Sequence, residues 1–149
     1  MRDFLKFGCT TVKDRYGVAV DIRRLAAAFT AGQQFRPEMS VLVHDLAVKG
    51  VRLALLTNNV KEARSWWTGG VFPLDAFSVV LDSSEVGLRK PDPKVFLAVA
   101  YEMGCAPEHL VFFDDTEINV VAAARVGMQA VRFIDAEQCR RELEILGVL

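Results

Sequence analysis

Residues 110–119, Leu-Val-Phe-Phe-Asp-Asp-Thr-Glu-Ile-Asn, decide how this chain is read. Leu110, Val111, Phe112 and Phe113 make a continuous apolar run, the pattern of a short strand buried on both faces. The run ends in Asp114 and Asp115, and the C-terminal ends of such strands are where open α/β sheets place their sites. Two adjacent carboxylates repel unless a cation or a nearby lysine compensates. Carboxylates with water and phosphate completing the shell suit Mg²⁺. The same pair also fits a purely structural role, with Asp115 as a helix N-cap and Asp114 beside it. Asn119, one turn further on, either orients the pair or joins the cap.

Two upstream stretches have the same form. Residues 53–59, LALLTNN, are an apolar run ending in Thr57 and Asn58. A hydroxyl, an amide and newly exposed backbone N–H groups there can cradle a phosphate or carboxylate oxygen, or can simply make a polar turn. Residues 87–93, GLRKPDP, hold Lys90 in a loop stiffened by two prolines. That lysine either neutralises an anion at the sheet's edge or is a solvated surface charge.

The elements around these stretches alternate. Pro37 suits the first turn of a helix with Val41, Leu42, Leu46 and Ala47 as its apolar stripe and Gly50 as its stop. Residues 51–56 (VRLALL), 77–82 (FSVVLD), 110–115 and 130–135 (AVRFID) read as strands. Asp92 and Pro93 open a helix that Gly104 closes, residues 118–128 form an Ala-rich helix stopping at Gly127, and Asp135 with Gln138 has capping-box spacing. Strands alternating with helices imply right-handed crossovers, hence an α/β fold with a mostly parallel sheet and helices on both faces. Residues 1–35 differ, reading as helices (TTVKDRYG, DIRRLAAAFTAG) without a strong strand. The expected organisation is a helical segment over 1–35 and an α/β core over 36–149, in one compact domain.

Composition excludes several classes. With 149 residues, 52% hydrophobic and 25% charged, the chain can bury a core of its own. A net charge of −1 and a pI near 6.1 give no pull towards nucleic acid or an anionic membrane. Cys9, Cys105 and Cys139 are scattered and odd in number, which argues against a disulfide framework or zinc site and for a reducing, cytoplasmic setting. No apolar run approaches a membrane span, and no secretory leader is expected.

Taken together, residues 53–59, 85–93 and 111–128 resemble motifs II, III and IV of the haloacid dehalogenase (HAD) superfamily of hydrolases. The likeness covers about residues 35–134. It is strongest to the branch holding 2-haloacid dehalogenases and the phosphatase-like N-terminal domain of soluble epoxide hydrolases. The resemblance implies a Rossmann-like three-layer core and an aspartyl-phosphate route to phosphomonoester hydrolysis. It also implies roles: Thr57 and Asn58 bind the transferred group, Lys90 stabilises the covalent intermediate, Asp114 and Asp115 hold Mg²⁺, and Asn119 supports them.

The family's first motif, a strand ending in DxDGT or a variant, has no counterpart. Asp3 follows only Met-Arg, Asp14 sits in a charged helical stretch, and Asp21 is followed by Arg23 where a second acid belongs. Residues 1–35 instead resemble part of the cap inserted between motifs I and II. The expectation is therefore a HAD-like chain whose nucleophile strand is missing, inactive alone, binding Mg²⁺ weakly and acting on a small phosphorylated substrate only if completed. Alternatives are a 2-haloacid dehalogenase remnant, against which the adjacent acids argue, and a non-catalytic, partner-binding module. A receiver-like module would place its acidic pair first, whereas this chain runs Thr, Lys, acidic pair. A missing central strand would bare two strand edges. Direct pairing of the strands ending at Thr57 and Asp114 is the expected repair, with a homodimer through an exposed edge next, and residues 16–20 (YGVAV), short and carrying Gly17, as a poor filler of the gap.

Overall fold

The computed structural model describes residues 36–61 and 73–149, together with Asp14, Gly17 and Asp21. By internal contacts the chain divides into two units, Met1–Arg36 and Pro37–Leu149. The helical segment read over 1–35, and Asp3 with it, lies outside the described residues. Asp14 and Asp21 are exposed.

The second unit opens with helix α1 (Pro37–Val48), then strand β1 (Ala54–Thr57), strand β2 (Val79–Asp82) and the single-turn helix α2 (Ser83–Val86). Helix α3 (Pro93–Glu102), strand β3 (Val111–Asp114), helix α4 (Glu117–Arg125), strand β4 (Gln129–Arg132) and helix α5 (Ala136–Ile145) follow. The punctuation read from the sequence has a physical counterpart. Asp92 accepts from the Lys94 N–H at 2.9 Å with Pro93 just inside the helix, and Asp135 accepts from the Gln138 N–H at 2.7 Å. At the end of α1 the Val51 N–H reaches the Leu46 carbonyl (3.0 Å) and the Gly50 N–H reaches Ala47 (2.9 Å). This is a Schellman turn, and Gly50 supplies its left-handed residue at φ 78°. The same pair of bonds closes α3, α4 and α5.

Side-chain parity sorts the core into two faces. Leu56 and Phe112 pack with Val95 and Phe96 of α3 and Ala122 and Ala123 of α4. Leu53, Val111 and Phe113 face the other way, against Leu42 and Leu46 of α1 and Cys139 and Leu143 of α5. Helices thus cover both faces, as an α/β layer fold requires. Phe96 meets Phe112 edge-to-face at 5.3 Å, with Phe96 fully buried. No helix among the described residues is long and apolar enough to cross a membrane.

The strand pairing corrects one expectation. Among the described residues β1 pairs in parallel with β2, and β3 in parallel with β4, as two separate two-stranded sheets. The strands ending at Thr57 and Asp114 do not close on each other. Between them lies a cavity of about 370 Å³, lined by Leu55, Leu56, Val111, Phe113, Leu42 and Met128 among others. Helices pack on both faces of the half-sheets, α3 and α4 on one and α1 and α5 on the other.

Candidate functional site

The polar ends of β1 and β3 meet at Lys90. Its ammonium donates to the Leu56 carbonyl at 2.9 Å and to Asp114 Oδ2 at 2.7 Å. Both side chains are largely buried, 12% and 5% exposed, so this is an ion pair shielded from water rather than a surface contact. The ammonium also lies 5.8 Å from the centre of the Phe112 ring.

Asp114 is anchored on every side. Its Oδ1 accepts from the Thr116 N–H and from Asn119 Nδ2, each at 2.9 Å. Burial pushes the carboxyl up, but the hydrogen bonds from Lys90, Asn119 and the Thr116 amide, with the lysine charge, outweigh it and hold it below the ordinary carboxylate range. Asn119 is itself buried and one helical turn beyond, which makes it the residue that orients Asp114. Asp115 is exposed, accepting among the described residues only from the Thr116 hydroxyl at 3.3 Å. The N-cap of α4 is Thr116, not Asp115.

Asn58 does something its position in the sequence did not disclose. Its Nδ2 donates to the Lys90 carbonyl at 2.8 Å and its Oδ1 accepts from the Lys90 N–H at 2.9 Å. The amide side chain thus grips the backbone of Lys90, fixing the loop that carries the ammonium. What Asn58 can still offer a ligand is its second Nδ2 proton and its own backbone N–H. Thr57 sits next to Leu56, and its hydroxyl enters no hydrogen bond among the described residues.

A second network lies one strand out. Asp82, 1% exposed, accepts from the Ser84 N–H at 2.9 Å and from Asn59 Nδ2 at 3.4 Å. The Ser83 hydroxyl accepts from the Asn59 N–H at 2.9 Å and donates to the Asn59 carbonyl at 3.2 Å. These bonds pin the loop after β1 to the end of β2. Neither Asp82 nor Ser83 was among the residues singled out in the sequence. Asp82 nonetheless ends an apolar run just as Thr57 and Asp114 do, which is the signal that marks it.

Residues 8–127 match the family described as haloacid dehalogenase-like hydrolase. The chain belongs to that family. A phosphoserine phosphatase of Thermus thermophilus is 35% identical to this HAD-like chain over 113 residues, 73% of the chain and 45% of the relative. A phosphatase of Mycobacterium tuberculosis is 31% identical over 127 residues, 81% of the chain and 58% of the relative. The chain thus spans about half the length of these two curated relatives. Among solved structures, a HAD phosphatase from Thermococcus onnurineus superposes with a TM-score of 0.66 at 23% identity, over 90% of this chain and 69% of its own. A HAD family enzyme of Bacteroides thetaiotaomicron, solved with magnesium and inorganic phosphate, gives a TM-score of 0.62 at 22% identity, covering 89% and 69%. These likenesses confirm the α/β layer fold.

Proposed function

We propose that this HAD-like chain carries the phosphoryl- and Mg²⁺-binding side of a phosphomonoester hydrolase of the aspartyl-phosphate type, and that its 149 residues do not turn over substrate alone. The observation that carries the reading is the buried Lys90–Asp114 pair, with Asn58 gripping the backbone of Lys90. A cation fixed this way at the ends of two strands is preorganised for an anionic group. The names of the related phosphatases support a small phosphorylated substrate.

The groups divide the work as follows. An ammonium has three protons. Lys90 commits two, to Leu56 and Asp114, and the third is available to a phosphoryl oxygen. The Thr57 hydroxyl and the N–H of Asn58 provide further donors at the end of β1. Mg²⁺ chemistry is limited by what the carboxylates have left. Asp114 Oδ1 already accepts two hydrogen bonds and Oδ2 one, so a single lone pair of Asp114 and the exposed Asp115 are on offer. Among the described residues no cluster of three or more His, Cys, Asp or Glu side chains forms. The residues fit a shallow, largely hydrated Mg²⁺ site, where the ion would offset phosphoryl charge. We expect millimolar affinity, because Mg²⁺ gives up water reluctantly. Magnesium titration followed by amide shifts should perturb residues 114–116 and lose the effect in Asp114→Asn; no change at tens of millimolar Mg²⁺ would reject the site.

The reading also predicts a null result. The sequence contains no aspartate pair in DxD spacing before residue 57, and covalent catalysis without its nucleophile forfeits most of the rate. Pure protein should show no Mg²⁺-dependent release of phosphate from p-nitrophenyl phosphate or phosphoserine above the blank. Robust turnover abolished by Asp114→Ala would overturn this, and its loss in Asp21→Ala as well would make Asp21 the nucleophile. A 2-haloacid dehalogenase remnant is the weaker alternative, since a metal-free site gains little from the adjacent Asp115.

A further inference from the structure

Helix α3 carries its charges the wrong way round. The dipole of a helix favours acids in the first turn and bases in the last. α4 obeys, with Glu117 in its first turn and Arg125 in its last. α3 does the reverse: Lys94 stands in its first turn with no acid, and Glu102 ends its last turn with no base. The N-cap Asp92 eases the first mismatch but not the second. Both side chains are exposed, and neither enters an ion pair or hydrogen bond among the described residues. A local rule broken without local compensation marks residues that serve something other than their own helix.

Between these two charges the same face is apolar. Leu97 is half exposed and Tyr101, one turn on, is 83% exposed. Beside them α4 turns out Ile118, 61% exposed, and Val121. Pro93 of α3 and Ile118, Val121 and Arg125 of α4 line an open groove between the helices. The two helices run side by side in one direction. Lys90, three residues before α3, touches Asp114, three residues before α4, and further along Val95 and Phe96 pack with Ala122 and Ala123. The face therefore has Lys94 and Glu117 at its start and Glu102 and Arg125 at its end. Turned end for end, it meets its own opposite charges.

We propose that the α3/α4 face binds a second copy of this chain, about a two-fold axis that crosses α3 near Ala98. A two-fold contact needs one patch that complements itself, which this face is in charge. Each α3 lies antiparallel on its mate, so Lys94 meets the partner's Glu102 at both ends of the contact. Leu97 lies near the axis, and Tyr101 packs on the partner's Leu97 and on the stem of the partner's Lys94. The opposed dipoles favour this arrangement over one with α3 laid parallel on the other copy's α4. On α4, Glu117 faces the partner's Arg125; its bond to Arg132, 3.9 Å long between two exposed side chains, is loose enough to yield. Two helices of 10 and 9 residues offer less than the roughly 800 Å² per partner of a standard interface, so the dimer is weak, with a dissociation constant of about 0.1 mM.

Sedimentation of the full chain between about 10 µM and about 1 mM, a range that brackets this constant, should show the mass rising from 16.5 kDa towards twice that value. Lys94→Glu and Glu102→Lys, each alone, should weaken association about tenfold or more, because each sets like charges opposite one another twice. Neither substitution harms its own helix, since each brings α3 into line with its dipole, so a lost dimer is not a lost fold. The double variant should associate as the native chain does, and the two single variants mixed should associate more tightly than either does alone. A monomer throughout the range would overturn the proposal. Association indifferent to both single variants would place the contact elsewhere, and a double variant that stays weak would mean that α3 meets something other than α3. Either result also overturns it, and none depends on phosphate or Mg²⁺.

Discussion

Lys90→Met is expected to destabilise the protein by about 3–5 kcal/mol at neutral pH, the usual cost of stripping one partner from a buried ion pair. Asp114 would then be a carboxylate 5% exposed and without its cation. The pH dependence carries the diagnosis. In the native chain the Asp114 carboxyl lies below its ordinary value of 3.8. Its folded pKa is depressed, so its contribution to stability is present above the unfolded value and is lost as pH falls through the folded one. Without Lys90 the largest lowering influence is gone while burial still pushes the carboxyl up. The variant then gains by taking up a proton, and its deficit should shrink as the pH is lowered towards 4. Urea unfolding of both proteins at pH 7, 5.5 and 4 would show the curves converging. A deficit independent of pH would mean that Lys90 acts through packing on Phe112. Adding Asp114→Asn should recover part of the loss at pH 7, since no unpaired charge is left buried.

Phe96→Ala is expected to cost a similar amount, about 3–5 kcal/mol, for a different reason. Phe96 is wholly buried, packs edge-to-face on Phe112 and lines the inter-sheet cavity. Its removal enlarges a void that the helices already fail to close, so little collapse is available to offset the loss. The urea midpoint should fall with little change in slope. Because Lys90 lies over the Phe112 ring, the variant should also loosen the lysine, seen as altered amide shifts at 89–91. A loss below about 1 kcal/mol would mean that the cavity repacks around the smaller side chain.

Much of the fold was legible because local chemistry dictates it. The runs read over 51–56, 77–82, 110–115 and 130–135 each overlap one of the described strands, the last displaced to Gln129–Arg132, and Asp92, Asp135, Gly50 and Gly104 sit at the helix ends that their side chains, or lack of one, prescribe. Lys90 was singled out by its loop stiffened by two prolines and Asp114 by its place at the end of an apolar run. Their pairing is a contact between positions 24 residues apart. The role of Asn58 was hidden for the same reason: a side-chain amide bonded to backbone 32 residues away leaves no periodic trace. α2 was missed because Ser83–Val86 is a single turn capped by Asp82, too short to show an apolar stripe. Direct closure of β1 on β3 failed as an expectation because it weighed only the edge amides of two short strands, and each of those strands pairs instead with its other neighbour.

The grip of Lys90 on Leu56 and Asp114 has a mechanical meaning. One side chain reaches from one half-sheet to the other, so the spacing between the halves and the placement of the ammonium form a single coordinate. Asn58 removes the slack, since the lysine cannot shift without dragging the loop after β1. Whatever sets the spacing therefore sets the aim of the cation. By thermodynamic reciprocity, an anion that prefers one aim favours the spacing that goes with it. If the proposed function holds, the site is in this sense a gauge: its affinity for a phosphoryl group would report how far apart the two half-sheets stand.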